Sequence, residues 1–167
     1  MTPRRTTPTD DAREPPWIVG LGTNFGDDRV GWEVIARFRE SRPADTEVLA
    51  VTDPLAVLDA PPGCGLLVVI DACRGAGAPG SIHRIEWPDQ RLAANGETSS
   101  HGIGLTAALG LAAALGRLPS RVVVFAVEGV TTNVGGGMSR MVEAAIPEIV
   151  ERVTAELSGR PDGDANE

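Results

Sequence analysis

The chain has no lysine: all 15 of its cations are arginine. Against them stand 23 carboxylates, a formal net charge of -8 and a sequence pI near 4.8. A nucleic-acid binder usually presents a basic face, so that class is set aside. The arginine-only usage comes with abundant Ala, Gly and Pro and reads as genome composition. Cysteine is also scarce. Cys64 and Cys73 are too few for a disulfide framework, and a reduced, cytoplasmic chain is expected. No apolar run approaches the roughly 20 residues of a membrane span. Residues 1–16 are polar and lack the apolar stretch of a signal peptide, which again points to the cytoplasm.

What remains is enough for one core: 167 residues, 42% of them hydrophobic. Residues 1–15 read as a disordered arm and 158–167 as a disordered tail, both polar and rich in Pro, Arg, Asp or Gly. Between them, over 16–157, short apolar runs alternate with helical patterns. The strands are expected over 17–21, 47–51, 66–70, 81–87 and 121–127. Residues 66–70, Leu-Leu-Val-Val-Ile, form a continuous apolar run of the kind buried on both faces, whereas 81–87 alternate.

Helices are expected over 30–41, where Val30, Val34, Ile35 and Phe38 share a face, and over 102–115. A short one is expected at 55–59. A closing helix over 139–157 places Met141, Ala145, Ile149 and Val153 on one face, with a kink at Pro147. The segment 88–100 reads as a long polar loop, mobile and available to grip a partner. Strands alternating with helices imply a layered α/β domain with a mostly parallel sheet. If strand 1 lies between strands 2 and 3, the crevice between the carboxyl ends of strands 1 and 3 is a topological switch point, where such sheets bind ligands.

Three residues fall near that edge. Asp28 closes the run Gly20-Leu-Gly-Thr-Asn-Phe-Gly-Asp-Asp28, Asp71 ends the apolar run of strand 3, and His101 opens an apolar helix. Two carboxylates and one neutral imidazole can make a three-ligand metal site with open positions. Each residue has a plainer reading. Asp27-Asp28 and Asp71 are natural N-caps. His101 is disfavoured as a cation at a helix start, which keeps it neutral and able to ligate.

The spacing Gly20, Gly22, Gly26 also resembles a dinucleotide-binding turn, but Asp27 and Asp28 would repel a pyrophosphate there. Cys73 is a soft ligand candidate near Asp71, or an inert small side chain. His83 is read as structural. Residues 131–137 are glycine-rich but lack the lysine of a phosphate loop.

In order along the chain, Gly20-Leu-Gly-Thr-Asn-Phe-Gly-Asp-Asp-Arg-Val-Gly31, Val69-Ile-Asp-Ala72, Ala78-Pro-Gly-Ser-Ile-His83, Ser99-Ser-His-Gly-Ile-Gly-Leu105 and Val142-Glu-Ala-Ala-Ile-Pro-Glu148 resemble the hydrogenase maturation endopeptidases. These trim the C-terminus of the nickel-iron hydrogenase large-subunit precursor. The resemblance spans roughly residues 17–157. It implies a three-layer α/β sandwich whose twisted five-stranded sheet is mostly parallel, with residues 81–87 as its one antiparallel strand.

The resemblance also places the family's nickel-contacting, catalytic positions on Asp28, Asp71 and His101. The implied nickel is the one already in the precursor, with no permanent metal of the enzyme's own. The chain departs from the family pattern at Thr23, at Arg29 and over 138–140, and its first loop is one residue short. A nickel-sensing module that does not cut is the alternative function.

Overall fold

The computed structural model describes residues 15–41, 45–94, 104–130 and 135–159. Most of the expected arm and tail therefore lie outside the described residues. Five strands form one sheet in the order β2-β1-β3-β5-β4. They are β1 (Trp17–Leu21), β2 (Glu47–Val51), β3 (Leu66–Cys73), β4 (Ile82–Glu86) and β5 (Arg121–Glu128). Only β4 is antiparallel to its neighbour; β1, β2, β3 and β5 run parallel. β1 lies between β2 and β3, as the switch point requires.

The helices are α1 (Val30–Ser41), α2 (Gln90–Ala94), α3 (Leu105–Ala114) and α4 (Arg140–Leu157), with 3-10 turns at Gly26–Arg29 and Pro54–Asp59. They cover both faces. Side chains alternate along each strand, so Val19, Leu67, Val69, Val122 and Val124 meet α2, α3 and the Pro54–Asp59 turn. Ile18, Val68, Ile70, Val123 and Phe125 meet α1 and α4 on the other face. Residues 67–70 have no exposed surface, which is why β3 needs an unbroken apolar run.

Three expectations change. β3 does not end at Ile70, because β5 continues to pair with it through Asp71↔Ala126, Ala72↔Val127 and Cys73↔Glu128. Asp71 thus sits within a strand. The expected loop 88–100 holds a helix, α2, in its first half. Asp89 accepts from the Arg91 amide at 2.8 Å, and the Thr106 hydroxyl donates to the Leu92 carbonyl at 2.9 Å. That cap and the buried Leu92 give this stretch the anchors that its polar sequence conceals.

In α4 the buried stripe is Val142, Ala145, Ile146, Ile149 and Val153, while Met141 is half exposed. The helix runs on through Pro147, which stands on its exposed side.

Candidate active site

The glycines of the first loop have a packing role. A Cβ on Gly20 would strike the Gly31 carbonyl and the Ile35 side chain, and one on Gly31 would strike the carbonyls of Leu21 and Ile70. The start of α1 therefore lies directly against the ends of β1 and β3. Gly22 adopts φ +152, where a side chain would meet the Asp28 carbonyl. These contacts bring the 3-10 turn carrying Asp27 and Asp28 over the carboxyl edge of the sheet.

The two aspartates separate in role. Neither reading as an N-cap holds for Asp27: the turn is capped by Phe25 with no side-chain bond. Asp27 is 1% exposed and accepts from the amides of Val130 at 2.7 Å and Ser139 at 2.6 Å. It ties Val130 and Ser139 to the first loop, with help from the Gly26 amide donating to the Gly136 carbonyl at 3.1 Å.

Asp28 lies beside Asp71 instead. Burial, and then the charge of Asp28, push the Asp71 carboxyl up from 3.8 to about 7, against the pull of the Ala72 amide. That amide donates to Asp71 Oδ1 at 2.9 Å. Two like charges in one crevice disfavour joint ionisation, and a cation between them relieves both the repulsion and the desolvation.

Asp71 shares its face with Leu67 and Val69, the face on which α3 packs. His101 lies outside the described residues, as do residues 95–103 in general; the helix it was expected to open is described from Leu105.

Sequence reasoning missed a second cluster on the same face. Glu128, the last residue of β5 and 5% exposed, accepts from the amides of Gly75 at 2.7 Å and Ala76 at 2.9 Å. It is the registered partner of Cys73, and the Cys73 thiol donates to its Oε2 at 3.5 Å. Burial, followed by the charge and hydrogen bond of Glu128, pushes this thiol up to about 12. His83 on β4 approaches the same pair. The available signal was a carboxylate ending an apolar strand, with Cys73 two residues beyond Asp71; the strand order was needed to join them.

Residues 44–156 match the family described as hydrogenase maturation protease. No curated protein matches the chain by sequence. Among solved structures, the hydrogenase maturating endopeptidase HybD of E. coli is 21% identical with a TM-score of 0.72, covering 87% of this chain and 93% of its own. HybD of Thermococcus kodakarensis, a [NiFe] hydrogenase maturation protease, is 22% identical with a TM-score of 0.67, covering 86% and 98%. The E. coli endopeptidase HycI is 16% identical with a TM-score of 0.69, covering 92% and 99%.

At these identities the structures speak for the fold, and the five-stranded sheet with one antiparallel strand is that fold. The family match covers well over half of the chain and carries the rest: this protein belongs to the hydrogenase maturation protease family and is a peptidase.

Proposed function

We propose that the protein removes the C-terminal extension of a nickel-iron hydrogenase large-subunit precursor after nickel insertion. Asp28, Asp71 and His101 grip the precursor's nickel and so set the scissile bond in place. The observation that carries this reading is the Asp28–Asp71 pair at the switch point of the sheet, where the charge of Asp28 helps to hold Asp71 near neutrality. A carboxyl raised by burial and by a second carboxylate beside it is a good receptor for a divalent ion.

α3 packs on the face that carries Asp71, which supports His101 as the third contact. In the reaction, water attacks the scissile carbonyl carbon, the C–N bond breaks and a proton passes to the new amine. The nickel in the substrate polarises the carbonyl, and a carboxylate accepts the proton of the water. No helix of the described residues is long and apolar enough to cross a membrane.

The test is incubation with matched nickel-loaded and nickel-free precursors, read by intact mass. Loss of the extension only from the loaded precursor is the expected result. Equal cleavage of both removes nickel from recognition, and cleavage of neither under conditions where the chain is folded removes the substrate assignment.

A further inference from the structure

The geometry points to a second, resident cation site of zinc type, built from Cys73, His83 and Glu128 and separate from the Asp28–Asp71 pair. One donor atom from each of the three residues lies within 4.8 Å of the others. They come from three adjacent strands, where β3 and β5 end and antiparallel β4 begins. Cys73 and Glu128 are registered partners, and His83 is registered with Ala126, two residues before Glu128 on the same face. The ligands therefore rest on the sheet rather than on loops.

The distances suit an ion. Zinc binds sulfur at about 2.3 Å and oxygen or nitrogen at about 2.0–2.2 Å, which places two tetrahedral ligands about 3.5 Å apart. Cys73 Sγ and Glu128 Oε2 are 3.5 Å apart. Closing a widest separation of 4.8 Å to that value needs a shift of about 1 Å, within reach of small side-chain rotations.

The surroundings orient the donors as outer partners of a metal site do. The amides of Gly75 and Ala76 hold the Glu128 carboxylate in place. Ser81 Oγ, at 3.2 Å from His83 Nε2, fixes the ring. The glycine-rich loop closes over it: a Cβ on Gly77 would come within 2.9 Å of Ser81 Oγ and 3.2 Å of the imidazole.

A thiol–carboxylate hydrogen bond explains Cys73 and Glu128 as a pair. It does not explain an imidazole brought to the same point. Thiolate, imidazole and carboxylate together form a borderline donor set that favours zinc over magnesium or calcium and leaves a fourth position open. The ion would tie the ends of three strands and the 74–80 loop together beside the crevice proposed to receive the precursor's nickel.

Zinc alone is the probe. The metal-free full chain, titrated calorimetrically with Zn2+, binds one ion, and zinc raises its melting temperature. His83→Gln and Cys73→Ser each weaken that binding at least about 10-fold, whereas Asp71→Asn keeps it within about twofold. Because Cys73→Ser alters a buried position, cobalt gives an independent readout: a thiolate-to-cobalt charge-transfer band in the wild-type chain, weakened in His83→Gln.

Absence of stoichiometric zinc binding overturns the site. So does wild-type affinity in His83→Gln, or loss of affinity in Asp71→Asn alone. Precursor processing is measured separately, so failure of this site and failure of the proposed function are told apart.

Discussion

Two carboxylate sites lie on opposite faces and at opposite ends of the sheet, and the fold treats them differently. Glu156, on α4, is 3% exposed and meets two arginines. Arg84 Nε approaches it at 2.8 Å, and Arg121 Nη2 approaches it at 2.5 Å from the start of β5. Burial alone would raise Glu156, but the hydrogen bonds and charges of Arg84 and then Arg121 outweigh it and hold the carboxyl below its ordinary 4.5.

Asp71, at the carboxyl edge, is offered another carboxylate and a single amide, and it moves the other way, to about 7. The first arrangement satisfies a charge at the expense of nothing else in the structure. The second leaves a charge for something else to satisfy. That contrast separates a carboxylate whose charge the fold satisfies from one whose charge it opposes.

The largest stability loss is expected at Glu156. Glu156→Ala leaves two partly exposed arginines with Glu86 as their remaining carboxylate and should cost about 2 kcal/mol in urea unfolding, below the range for a fully buried orphan charge. A loss under about 0.5 kcal/mol would mean that the network adds nothing and that the comparison has no stabilising side.

Asp27→Ala comes next. It removes the acceptor of the part-buried Val130 and Ser139 amides and should cost about 1–2 kcal/mol, with faster amide exchange over the described part of 129–139. Unchanged exchange there would show that Asp27 is not the clamp.

The pH dependence of the two sites should differ in sign. Glu156 has a lowered folded pKa, so its contribution is present above the unfolded value of about 4.5 and is lost as pH falls through the folded value. Asp71 has a raised folded pKa, so its ionisation opposes folding. No penalty exists below 3.8; it grows as pH rises and is complete above about 7. Relative to the wild type without metal, Asp71→Asn should therefore gain stability between pH 3.8 and about 7 and hold that gain beyond.

The gain should be on the order of 1–4 kcal/mol, partly offset by whatever packing the amide disturbs. A variant that loses stability across this window would make Asp71 a structural cap. The smallest effect belongs to Arg29, whose Nε is 2.6 Å from Glu33 Oε1 on an exposed surface. Arg29→Ala should cost at most about 0.5 kcal/mol, and a larger loss would give that departure from the family pattern a role of its own.

Most of the architecture was legible because burial writes itself into the sequence. The unbroken run of β3 and the stripe of Val30, Val34, Ile35 and Phe38 each have one physical solution, and the bounds of α1 and β2 follow from them. Where long-range contacts decide, the sequence is silent. α2 exists because Leu92 finds a core and Asp89 an amide, and β3 outruns its apolar residues because β5 is long enough to pair with them.

In the candidate site, the nearness of Asp28 and Asp71 could be inferred from their position past β1 and in β3. The separation of Asp27 from Asp28 could not, since it depends on amides more than a hundred residues away. Cys73, His83 and Glu128 are remote in the chain and adjacent only once the order β3-β5-β4 is known.

The role of Asp71 is decided by processing of a nickel-loaded precursor by Asp71→Asn, followed by intact mass beside a melting curve of the same sample. Gripping of the nickel by Asp71 requires a variant that melts at or above the wild-type temperature and cleaves at least about 100-fold more slowly, because a neutral amide is a poor ligand for a divalent ion. Cleavage at the wild-type rate by that folded variant would contradict it and return Asp71 to the structure of the strand.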